Sequence, residues 1–169
     1  MSGKHSNDQR YVDVYDSVLK LIAECKNFVN SDEALQYTKY FANSMVKEDF
    51  YTVQVKTHRN SGMTTTAIRL LKKDPSNILI TRDTYGVEQI LRDNVFDQKP
   101  IIFSADHVDH NFEYKFKCMF TGTQNLFKPE FIIFDMYSYI KQYDLDRIMQ
   151  ILNFWCDRSD IKPIFVKLG

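Results

Sequence analysis

The sequence predicts an α/β fold: a mostly parallel sheet layered between helices, entered through an N-terminal helical pair. Three observations carry this prediction. Short β-branched or apolar runs alternate with segments of helical period along most of the chain, and that alternation specifies βαβ units with parallel strands. Runs such as Phe131-Ile132-Ile133-Phe134 are apolar at every position, as strands covered on both faces are, which implies three layers. The chain has 169 residues, 44% hydrophobic and 26% charged, enough for a single domain with its own core.

Residues 1–10 are polar and read as a disordered lead. They lack the apolar stretch of a secretory signal, and no segment approaches the ~20 apolar residues of a membrane span. Three dispersed cysteines, Cys25, Cys118 and Cys156, form no CxxC pair or zinc spacing. They read as reduced thiols within apolar faces. A cytoplasmic protein without a membrane partner is expected.

Residues 11–48 form the helical pair. Val14, Val18, Leu21, Ile22 and Cys25 fall on one helical face between Tyr11 and Val29. Ser31-Asp32 reads as the N-cap of a second helix, Glu33 to Val46, with Tyr37, Phe41 and Met45 as its stripe. Residues 49–169 form the core. Tyr51 to Val55 is a strand, Lys56 to Gly62 a polar loop, and Thr64 to Lys73 a helix stopped by Asp74-Pro75-Ser76. Asn77 to Thr81 is a strand, Tyr85 to Arg92 a helix and Ile101 to Ser104 a strand. Glu113 to Thr121 alternates polar and apolar residues and reads as a half-buried edge strand. Phe131 to Phe134 is a strand ending on Asp135, Leu145 to Cys156 a helix with Ile148, Ile151, Leu152 and Trp155 as core, and Pro163 to Val166 a last strand.

The loop after the first strand carries the chemistry. A strand that turns into a helix through a glycine presents backbone N–H groups and a positive helix end to phosphate. Lysine and a Ser/Thr hydroxyl then complete a nucleotide loop, the hydroxyl through magnesium. Here Gly62 takes the glycine position and Thr64 the hydroxyl position, followed by Thr65. The first glycine position holds Thr57 and the lysine position holds Met63. A plain turn, with Ser61-Gly62 bending the chain and Thr64 capping the helix, explains the same residues.

Arg59-Asn60-Ser61-Gly62-Met63-Thr64-Thr65 resembles the phosphate loop of viral large terminase ATPases and their helicase relatives, commonly Arg-x-x-Gly-Lys-Thr-Thr. Phe131 to Asp135 resembles a Walker B strand ending in the magnesium-ordering aspartate. The resemblance covers about Tyr51 to Gly169. It implies a P-loop NTPase core of the ASCE division, with one strand standing between the two motif strands. It implies residues 59–65 as the nucleotide loop, and Thr64 and Asp135 as magnesium ligands where nucleotide binds.

The chain departs from that pattern twice. Met63 brings no positive charge to the phosphates, and Met136 follows Asp135 where the family has a water-polarising glutamate. The resemblance therefore implies a pseudo-ATPase, holding Mg-ATP weakly or not at all. It implies a viral or mobile-element protein, in the host cytoplasm if viral. Such a protein acts on a related ATPase, on further copies of itself or on a nucleoprotein complex. The chain stops near the family's third motif, without a nuclease half.

Two alternatives stand beside it. One is an active ATPase of DNA packaging or translocation, with Lys56 or Arg59 supplying charge, Asp106 or Asp109 orienting water, and Arg147 or Arg158 as an arginine finger. The other is a nucleic-acid-binding module using Lys72, Lys73, Arg82 and Arg92, against which zero net charge argues. Asp106-His107-Val108-Asp109-His110 has metal-ligand chemistry but reads first as a solvated loop. Tyr137, Tyr139 and Tyr143 follow the Asp135 strand on the edge where open α/β sheets bind ligands.

Overall fold

A computed structural model describes residues 5–39, 50–57, 62–108, 110–121 and 127–169, with side chains from residue 14 in the first helix and from residue 112 in the fifth. The elements in chain order are α1 (His5–Val29), α2 (Asp32–Thr38), β1 (Thr52–Val55), α3 (Met63–Leu71), β2 (Ile78–Thr81), α4 (Thr84–Asp93) and β3 (Ile101–Ser104). They continue with α5 (His110–Thr121), β4 (Phe131–Phe134), α6 (Gln142–Arg158) and β5 (Ile164–Leu168).

The five strands make one sheet in the order β1-β5-β4-β2-β3, and every pairing is parallel. Side-chain alternation sends the strands' apolar residues to two cores. Val53, Leu79, Ile133 and Val166 meet α1, α3 and α4 through Val18, Ala67, Leu70 and Ile90. Ile80, Ile132, Phe134 and Phe165 meet α5 and α6 through Phe116, Ile148, Leu152 and Trp155. β2 and β4 are buried at every position, as continuous apolar strands under two helical layers must be.

The segment expected to be an edge strand is instead the helix α5. Phe112, Phe116 and Phe120 recur every fourth residue and are all buried. Phe116 and Phe120 satisfy a period of two as well as a helical period, which is why local alternation misleads here. The rings decide the matter by packing together: Phe112 and Phe116 lie 4.7 Å apart, and Phe103 of β3 sits 4.8 Å from Phe116. Without that strand, the sheet is wholly parallel.

The N-terminal helices also differ from expectation. α1 begins at His5, within the expected lead. Its Tyr15, Val18 and Ile22 belong to the same core as α3 and β1. The Arg69 guanidinium of α3 lies 3.7 Å from the Tyr15 ring. Leu21, expected on the buried face, is exposed. Ser31 caps α2 as expected, its Oγ accepting from the Ala34 N–H. Residues 40–49, which include Phe41 and Met45, lie outside the described residues. Of the cysteines, Cys156 is buried and Cys25 half-buried, but Cys118 is exposed on α5.

Candidate functional site

Topology creates the site. The crossover from β1 to β2 skips β5 and β4, so α3 lies over those strands and its first turn meets the C-terminal end of β4. β5 stands between β1 and β4, so one strand separates the two motif strands. Gly62 opens α3 at φ 84°, ψ 20°. That left-handed conformation costs a side-chain-bearing residue about 1–2 kcal/mol and suits glycine. Arg59, Asn60 and Ser61 lie outside the described residues; Lys56 and Thr57 are exposed after β1.

Thr64 and Asp135, 71 positions apart in sequence, meet directly. The Thr64 hydroxyl donates to the Asp135 carboxylate, at 3.1 Å from Oδ1 and 3.0 Å from Oδ2. Asp135 is only 2% exposed. Its N–H donates to the Ile80 carbonyl at 2.9 Å, which fixes the strand end. Thr64 and Thr65 are exposed, whereas Thr66 is buried and its Oγ1 has no partner among the described residues.

Burial pushes the Asp135 carboxyl from an ordinary 3.8 up to about 6, while hydrogen bonds from the Thr64 hydroxyl and the Met136 N–H pull it down. A carboxyl raised on folding holds its proton more tightly in the folded state. Its stability contribution is therefore fully present below pH ~4 and is lost as pH rises through about 6. The loss at neutral pH is about 3 kcal/mol. Asp135→Asn keeps the shape without the charge. It is expected to unfold at higher denaturant than wild type at pH 7.5, by about 1–3 kcal/mol, with the gap closing at pH 4. Denaturant melts at the two pH values measure this, and equal destabilisation at both would contradict the charge-burial account.

The two methionines flank this pair. Met63 is 9% exposed and belongs to the core shared by α3 and the sheet. Met136 is half-buried and takes φ 55°, ψ 36°, a left-handed conformation rare for a long side chain. It turns the chain from β4 into a short 3₁₀ segment, Tyr137–Tyr139. The end of β5 backs that turn, with the Ser138 hydroxyl donating to the Gly169 carbonyl. Lys167, which sequence reasoning passed over, is buried on β5 with its ammonium 4.9 Å from the Tyr137 ring. Tyr139 and Tyr143 are exposed.

As a site for Mg-nucleotide, the described residues fit one half of the ligand. Thr64 and Asp135 offer a hydroxyl and a carboxylate, hard oxygens of the kind magnesium takes alongside water and phosphate. Position 63 offers the phosphates no charge.

The other candidates are dispersed. Asp106 and His107 are exposed in a 3₁₀ turn after β3, and the Ser104 hydroxyl donates to Asp106. β2 stands between β3 and β4, so Asp106 sits about 10 Å of sheet width from Asp135. Asp109 lies outside the described residues, as does the His110 side chain. No group of three potential metal ligands occurs among the described residues. The proposed basic face is divided: Lys72 and Lys73 precede β2 and Arg82 follows it, about 13 Å along the strand. Arg82 pairs with Asp83 at 2.5 Å and Arg92 with Asp93 at 3.2 Å. Lys72 lies 5.0 Å from the Phe96 ring. Arg147 and Arg158 both belong to α6, and Arg158 lies 5.7 Å from the Trp155 ring. Among the described residues no helix is long and apolar enough to cross a membrane.

No protein-family model matches the chain, and neither the curated proteins nor the solved structures compared with it include a match.

One structural residue escaped the sequence reading. Asn77, fully buried, donates from Nδ2 to the Leu70 carbonyl at 3.0 Å. Its Oδ1 accepts from the N–H groups of Glu130 (3.1 Å) and Phe131 (2.9 Å). It ties the end of α3 to the start of β4, and so sets the two elements that carry Thr64 and Asp135. The sequence places Asn77 at the head of the Asn77 to Thr81 strand, and nothing along the chain marks it as the tie between two elements.

Proposed function

We propose that this chain is a catalytically impaired P-loop NTPase-like protein, similar to a terminase or helicase ATPase core. It acts by binding or regulating a partner ATPase or nucleoprotein complex. The observation that carries the reading is the Thr64–Asp135 hydrogen bond across the strand–Gly62–helix turn. The hydroxyl and carboxylate that a magnesium site requires meet there, on the elements where such a core has them. One strand between β1 and β4 supports the same reading. Met63 and Met136 support impairment: a buried thioether replaces the phosphate cation, and no carboxylate follows Asp135 to activate water.

Magnesium would be held by Thr64 and Asp135, and it would orient the phosphates. Phosphate affinity then rests on backbone N–H groups at the start of α3. Mg-ATP is accordingly a weak ligand or none. The test is phosphate release by purified protein, with and without DNA, against Asp135→Ala. Turnover indistinguishable from that variant is expected. Release that Asp135→Ala abolishes would favour the active packaging-type ATPase instead.

A further inference from the structure

We infer that the β3 edge of the sheet is a docking site for an extended acidic peptide segment of a partner protein, which adds there as a sixth strand. Among the described residues β3 ends the sheet, so one side of its backbone has no strand to pair with there. Ile101 to Ser104 are all half-exposed, whereas β2 and β4 are buried throughout. The opposite edge, β1, interleaves polar Thr52 and Gln54 with its valines and lies under α1. An apolar edge such as β3, entered through Lys99-Pro100, is a template for strand addition.

Beside this edge, β3 and α5 border an open, shallow cleft of about 420 Å³, lined by Ile101, Phe103, Tyr114 and Met119 among others. The volume falls in the ~300–1,000 Å³ range of ligand clefts. Strand alternation sends every second side chain of an added strand toward α5, so the cleft takes its apolar residues. Charge selects the partner. Two lysines, Lys99 and Lys115, line the cleft, and no carboxylate does so among the described residues. Both are exposed, and they make an apolar floor with a positive border. Acidic residues flanking an apolar extended run complement it. This surface lies at the far edge of the sheet from β1 and is independent of the nucleotide reading.

The test is selection of a displayed random-peptide library on the full chain, followed by anisotropy titration of the recovered peptides. Expected are sequences that alternate apolar residues and carry flanking Asp or Glu. A Lys99→Glu/Lys115→Glu variant, whose fold is verified by circular dichroism, should bind them about tenfold more weakly. N-methylation of alternate peptide amides should abolish binding in one phase and spare it in the other, as backbone pairing along one strand edge requires. Recovery of basic sequences, no enrichment over the double variant, or indifference to both methylation patterns would overturn the inference.

Discussion

Met63→Lys is expected to bind Mg-ATP at least about thirtyfold more tightly than wild type, the affinity of a charge pair at a desolvated site. Position 63 is the first residue of α3, next to the residue that bonds Asp135. A lysine there keeps its methylene stem along the core that Met63 now fills, and extends its ammonium toward the phosphates. Without nucleotide the same charge faces an apolar neighbourhood, so the variant should melt below wild type. Mg-ATP should then restore the loss, since a ligand that binds only the folded state stabilises it. Calorimetric titration and thermal melts read the two effects. A folded variant that binds no better than wild type would count against a phosphate site at the start of α3. Tight binding by both proteins would show that backbone N–H groups suffice, and that Met63 does not close the site.

Asn77→Ala is expected to lower stability by about 2–4 kcal/mol, a large share of what a domain possesses. The substitution strands the buried Phe131 N–H and the part-buried Glu130 N–H, while the Leu70 carbonyl loses the amide but keeps the Lys73 N–H. Each unsatisfied group costs about 1–3 kcal/mol, partly offset where water enters. Asn77→Asp is the sharper control: it keeps the acceptor for both N–H groups but loses the donor to Leu70 and buries a carboxylate. It should be destabilised at least as much at neutral pH, and recover in part when acid protonates it. Urea denaturation of the three proteins provides the comparison. A loss under 1 kcal/mol for Asn77→Ala would mean that the α3–β4 junction is held by its apolar contacts alone.

Both predictions concern residues whose importance is set by what faces them. Local pattern determined the strands: apolar runs of four residues can be satisfied only by burial on both faces, and the helical segments between them dictate parallel crossovers. It also picked out Gly62, Thr64 and Asp135, because their chemistry is written in residue types and in their positions relative to strand ends. Tertiary structure decided the rest. Phe116 and Phe120 suit a strand or a helix equally, and only the ring cluster against Phe103 makes that segment α5 and the sheet all-parallel. The period of α1 shows that one face must be buried, but not against which element; the structure sets it against α3 and β1. Asn77 is only the polar first residue of a strand run until α3 and β4 converge on it. The Thr64–Asp135 bond, spanning 71 positions, exists only because the chain skips β5 and β4 on its way from β1 to β2. Periodicity is a property of neighbours along the chain, whereas these contacts depend on strand order, and strand order is fixed by how the whole sheet packs.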